Sequence, residues 1–185
     1  MKKLLLSAFV ICLAGTSIAQ ESPLWMRHCA LSPDGTTIAF TYKGDIYTVP
    51  STGGRATQIT TNPAFDNTPV WSPDSKQIAF ASDRMGSLDV FVVSSEGGAP
   101  QRLTTHSGSE KPVAYKDNKH ILFTANIAPS AEDAGFPSGQ FQQVYEVAVT
   151  GGRPAMFSSM PMECISINKE GVMLYQDKKG YEDYW

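Results

Sequence analysis

The side chains of this 185-residue sequence that could do chemistry are a few carboxylates, histidines, cysteines and serines at suggestive spacings. Asp34, Asp74 and Asp117 resemble the carboxylates of an acid–base pair. Their spacing argues against it. Ser32-Pro33-Asp34-Gly35 returns as Ser72-Pro73-Asp74-Ser75, and Asp117 takes the same turn position in a third copy. An aspartate repeated at one turn position is explained by hydrogen bonding to its own turn. His28, His106 and His120 show neither H-E-x-x-H nor any other ligand spacing, so no metal site is expected. Cys29 and Cys164 carry no nucleophile motif and are expected to be buried free thiols. Ser107-Gly108-Ser109 does not fit the G-x-S-x-G elbow, and neither a G-x-G-x-x-G nor a P-loop occurs. The reading is no catalytic residue, no metal and no cofactor. Asp83-Arg84 is expected to hold a loop through a charge-assisted bond.

The elements that position these residues are repeats. Ile38-Ala39-Phe40 recurs as Ile78-Ala79-Phe80 and Ile121-Leu122-Phe123, with Met173-Leu174-Tyr175 as a weaker copy. A second block, Asp45-Ile46-Tyr47-Thr48-Val49, returns as Asp89-Val90-Phe91-Val92-Val93 and loosely as Gln143-Val144-Tyr145-Glu146-Val147. Each block is followed, at a constant interval, by a double glycine: Gly53-Gly54, Gly97-Gly98 and Gly151-Gly152. These supply the positive φ angles of tight turns. Each copy then closes on an apolar residue and a hydroxyl, Ile59-Thr60, Leu103-Thr104 and Phe157-Ser158. Branched and aromatic residues fill the runs, and Pro, Asp and Gly fill the connections, giving four short strands per copy. Val90-Phe91-Val92-Val93 does not alternate, so it calls for cover on both faces. Phe40, Phe80, Phe123 and Tyr175 are one repeated core position between neighbouring units.

A four-stranded repeat of about 40–45 residues is the signature of a β-propeller blade. The fold expected is all-β: an incomplete propeller with blades near 29–60, 69–104, 112–158 and 163–185. Three blades and the start of a fourth cannot close a ring, which expects further blades elsewhere in a larger protein.

Composition agrees with an exported globular chain. Hydrophobic residues make up 42% and charged residues 18%, which excludes intrinsic disorder. Lys2 and Lys3, an apolar run over 4–14 and Ser17-Ile18-Ala19 describe a signal peptide over 1–19. The run is far short of the roughly 20 residues of a membrane span. The mature chain, 20–185, is therefore expected to be periplasmic or secreted, with no span after cleavage. Its acidic balance and lack of basic–aromatic interleaving exclude a nucleic-acid partner.

Variation between copies is confined to the connection between second and third strands, which lengthens from copy to copy. The longest, over 128–140, puts Phe136, Pro137 and Phe141 within or beside a possible contact loop for a peptide or protein.

The runs IAFTYKGDIYTVPSTGG and PVWSPDSKQIAFASDRMGSLDVFVVSSEGGAPQRLTTHSG resemble the propeller repeats of TolB and of tricorn-type proteases. Blades that begin directly after the signal peptide depart from TolB, which carries another domain first. They are similar to the N-terminal propeller of secreted tricorn-like serine peptidases. The hairpin at Lys43-Gly44-Asp45 and the ending over 180–185 also look tricorn-like. That resemblance implies a serine-type peptidase parent whose catalytic groups lie in a later domain, after a PDZ domain. It implies no catalytic residue here, and a role in gating or guiding peptides or in assembly. The alternatives are a TolB-like interaction propeller of the cell envelope, or the propeller of an α/β-hydrolase peptidase or an amidohydrolase.

Overall fold

The computed structural model describes residues 25–126, 142–158, 160, 162–168 and 170–177. Three antiparallel meanders of four strands follow one another. The first is β1 (Arg27–Leu31), β2 (Thr37–Tyr42), β3 (Asp45–Pro50) and β4 (Thr57–Gln58). The second is β5 (Asp66–Trp71), β6 (Gln77–Ser82), β7 (Asp89–Ser94) and β8 (Gln101–Arg102). The third is β9 (Lys111–Asp117), β10 (His120–Ala125), β11 (Gln143–Ala148) and β12 (Ala155–Ser158). A hairpin of β13 (Met162–Ile167) and β14 (Met173–Asp177) completes the described chain. The first strands β1, β5, β9 and β13 contact one another in succession, so the sheets stand around a common axis with β4, β8 and β12 outermost. They do not close a ring. This is the open β-propeller array that the repeat demands.

Side-chain alternation builds the core between sheets. On β6 and β7, Ile78, Phe80, Phe91 and Val93 pack with Ala39, Ile46 and Ile59 of the first sheet. Ala79, Val90 and Val92 turn the other way and meet Tyr115, Ile121, Phe123, Tyr145 and Val147 of the third. The unalternating run of β7 is thus covered on both faces, as expected. The aromatic of each second strand stacks on its cross-strand partner: Phe40 on Tyr47 at 5.9 Å, Phe80 on Phe91 at 5.9 Å and Phe123 on Tyr145 at 5.8 Å. Tyr175 departs from this pattern and is 39% exposed. Its sheet has two strands among the described residues, so no third strand brings an aromatic over it.

The turns behave as their residues dictate. All six glycines of the three pairs have positive φ, with the second of each pair at 119–126°, a region only glycine enters freely. The β2–β3 hairpin turns on Lys43 (φ 51°) and Gly44 (φ 89°), the paired positive angles of a type I′ turn.

First strands carry a β-bulge. One extra residue lies between Arg27 and Ala30, between Asn67 and Val70, and between Glu163 and Ser166. His28 (φ 51°), Thr68 (φ 49°) and Cys164 (φ 52°) occupy these bulges in left-handed conformation. Pro112 stands at the corresponding place in β9, and its ring forbids a positive φ, so the irregularity shifts to the next residue. The bulges also correct the expectation for the cysteines. Cys29 and Cys164 are free but exposed, because a bulge breaks the alternation that carries side chains into the inter-sheet core.

Candidate functional site

Two faces and an axis are available for function. The turns between first and second strands lie on one face with the glycine pairs. The connections between second and third strands lie on the other. On the first face each aspartate satisfies its own turn. The Asp34 carboxylate accepts bonds from the Ser32 hydroxyl (2.6 Å) and from the amide (2.9 Å) and hydroxyl (2.8 Å) of Thr36. Asp74 does the same with the Ser72 hydroxyl (2.6 Å) and the Lys76 amide (3.1 Å). The serine hydroxyls hold both carboxyls below the ordinary carboxylate range. Asp117 accepts from the amides of Lys119 (2.6 Å) and His120 (2.9 Å). Neighbouring turns are then tied together: the Asp34 amide donates to the Ser75 hydroxyl (3.3 Å), and the Asp74 amide to the Asn118 side chain (3.1 Å). The aspartates are structural, as their repetition implied.

The histidines do not converge either. His120 sits against Asp117 at 3.0 Å, and His106 lies 3.6 Å from Glu110. His28 is held below its usual value by burial and by Lys111 and Arg27. Among the described residues, no group of three or more metal-ligating side chains is present.

The opposite face holds charge that the sequence reading missed. Where the first sheet meets the second, Asp66 is fully buried and accepts two bonds of 3.0 Å from one guanidinium nitrogen of Arg84. Arg84 also donates to the Ser82 hydroxyl (2.8 Å), and its guanidinium carbon lies 4.5 Å from the centre of the Phe91 ring. Asp83 does not pair with Arg84; its carboxylate accepts from the Phe65 amide at 2.7 Å. Both residues hold the segment entering β5, which is the structural role expected. Asp45 faces this cluster, and its carboxyl is pushed up by burial, with the Asp66 charge acting in the same direction. Asp89, Arg102 and Glu110 occupy the corresponding joint between the second and third sheets. The sequence signal was present. Asp45 and Asp89 open the repeated block, and Thr60 and Thr104 close it. Each threonine hydroxyl accepts a 2.9 Å bond from the residue after the aspartate, Ile46 or Val90.

Clefts accompany these features. One of about 540 Å³ runs along the axis, lined by the first strands through Cys29, Val70, Val113, Tyr115 and Ile165 among others. Another, about 730 Å³, opens beside Arg102, Thr104, His106 and Glu110 at the second joint. A third, about 340 Å³, lies on the hairpin face between Trp25, Arg27, Lys43 and Phe65. The expected contact residues Phe136, Pro137 and Phe141 lie outside the described residues. What the described residues offer is a scaffold whose clefts mix apolar and polar side chains, with buried charge at its joints.

Comparison with known proteins agrees. Residues 23–185 match the family described as the tricorn protease N-terminal beta propeller domain. Tricorn protease homolog 1 of Streptomyces coelicolor is 40% identical over 77 residues, covering 42% of this chain and 7% of that protein. The uncharacterized peptidase YuxL of Bacillus subtilis is 31% identical over 108 residues, covering 52% of this chain and 16% of that protein. The chain therefore spans a small part of these relatives. A solved structure of a putative TolB from Agrobacterium tumefaciens shares the fold, with a TM-score of 0.62 and 24% identity over 83% of this chain and 57% of that one.

Proposed function

The chain belongs to the tricorn protease N-terminal β-propeller family, and on that premise we propose that it is the non-catalytic propeller portion of an exported, tricorn-like serine peptidase. Its work is to gate or guide peptides toward a downstream catalytic domain, or to support assembly of the parent. The observation that carries this reading is the family match along 23–185, together with the relationship to a tricorn protease homolog over 77 residues. Consistent with it, Asp34, Asp74 and Asp117 are engaged in their own turns, and Asp66 and Asp89 are paired with arginines at the joints. Restricting access in this way would use clefts and faces rather than reacting groups.

The test is peptide hydrolysis by the parent protein. With its propeller intact, the parent is expected to cleave short peptides and to discriminate against folded proteins. Loss of that discrimination when the propeller is removed supports gating; unchanged discrimination argues against it. Export is tested separately by sequencing the amino terminus of the protein recovered from the periplasm or medium. Gln20 is the expected first residue.

The similarity to the uncharacterized peptidase YuxL keeps a second reading in view, the propeller of an α/β-hydrolase peptidase. A downstream G-x-S-x-G elbow in the parent would select that reading over the first.

A further inference from the structure

The two sheet joints use equivalent positions with different charge pairing. Glu110 enters β9 as Asp66 enters β5: each amide donates a 2.7 Å bond to the carbonyl of the residue just before a third strand, Leu88 or Gly44. Asp89 matches Asp45, Thr104 matches Thr60, and Arg102 stands where the first sheet has Gln58. At the first joint the arginine comes from position 84 and serves the entering carboxylate, Asp66. At the second, Arg102 reaches Asp89 instead, at 2.8 Å. Glu110 is then left with no guanidinium of its own.

Glu110 and Asp89 are both fully buried. Neither oxygen of Glu110 has a well-formed hydrogen bond among the described residues. The groups facing it are Asp89 from β7, Arg102 from β8, and Thr104 and His106 from the segment leading to β9. Of these, His106 is 40% exposed and stands 3.6 Å from Oε1. Two buried carboxylates beside one guanidinium cannot both be charged cheaply, and a shared proton is the usual resolution.

We propose that this joint is a proton-operated latch, in which a proton on the Glu110–Asp89 pair holds β9 against β7 and β8, and its loss loosens the contact between the second and third sheets. Burial first, and the Asp89 charge with it, push the Glu110 carboxyl up from 4.5 to about 7, against the opposing pull of Thr104 and Arg102. The folded joint therefore keeps a proton that the opened chain has released. Its stability is fully present below about pH 4.5, falls as pH rises toward about 7, and changes no further above that. Over the falling range, one proton of difference is a tenfold change in the opening equilibrium per pH unit.

The experiment is hydrogen exchange on the intact protein between pH 5 and 8, corrected for intrinsic exchange rates. In the peptide covering 103–111, the opening constant is expected to rise about tenfold per pH unit between about pH 5 and 7 and then level off. The peptide covering 58–66, where Arg84 compensates Asp66, is the internal control and is expected to show a shallower rise, left by the raised Asp45 carboxyl. Glu110→Gln is expected to flatten the profile of 103–111. Asp89→Asn, which removes the neighbouring charge, is expected to make the profile level off at lower pH, with the start of the rise unchanged. A flat wild-type profile overturns the latch, and so does a slope that survives Glu110→Gln. If Glu110→Gln does not fold, an unmoved midpoint in Asp89→Asn overturns it equally.

Discussion

Replacing Arg84 by methionine removes the guanidinium between the first and second sheets and keeps most of the side-chain volume. Asp66 is fully buried and takes both of its 3.0 Å charge-assisted bonds from Arg84, which is itself only 13% exposed. The variant strands a buried carboxylate beside Asp45, whose carboxyl is already pushed up by burial. Breaking a buried pair from one side costs about 3–5 kcal/mol. The lost stacking over Phe91 adds to this, at about 0.5–2 kcal/mol. The expected cost is thus about 3.5–7 kcal/mol, a factor of several hundred to about 10⁵ in local opening. The assay is exchange of the Asp66 amide, which bridges this joint through the Gly44 carbonyl, and of the Ile46 and Ile59 amides beside it in the first sheet, bonded to Thr60 Oγ1 and the Ile46 carbonyl. The companion variant Asp66→Asn/Arg84→Met removes the charge with its partner and is expected to recover most of the protection, since an apolar replacement of a buried pair is close to neutral. A single variant within about 1 kcal/mol of wild type, or a double variant as exposed as the single, refutes the reasoning.

Phe123→Ala empties a fully buried position stacked on Tyr145 and is expected to cost about 3–5 kcal/mol, read as faster exchange across the second joint. Ser72→Ala removes a hydroxyl that bonds Asp74 at 2.6 Å and accepts from the Gln77 amide at 2.9 Å, for about 1 kcal/mol, read on the same turn. Because the Ser72 hydroxyl holds the Asp74 carboxyl below its ordinary value, that turn's support is present above about pH 3.8 and lost as pH falls through the lower folded value. Exchange of the Lys76 amide in acid checks this, and Ser72→Ala is expected to weaken the dependence.

Much of the fold was legible because repetition carries geometry with it. Val90-Phe91-Val92-Val93 announced cover on both faces, and the packing of alternate residues onto the first and third sheets supplies it. The constant interval to each glycine pair fixed the positive-φ turns. The aspartates read as turn residues for the same reason. The joints were missed although Asp45, Asp89, Thr60 and Thr104 mark the repeat, because the charged partners are distant in sequence and local chemistry points elsewhere. Asp83 neighbours Arg84 in the chain, yet the guanidinium meets Asp66 while Asp83 takes the Phe65 amide. The cysteines misled because bulges in first strands break the alternation on which a burial reading rests. Tyr175 misled because its repeat position has no third strand beside it among the described residues.

The proposed function places catalysis in the parent and not in this propeller. A serine-directed covalent probe applied to the intact parent, with the labelled residue mapped by peptide mass spectrometry, distinguishes the two. A labelled serine outside residues 20–185 is expected. Labelling that inactivates the enzyme at a serine within those residues contradicts it.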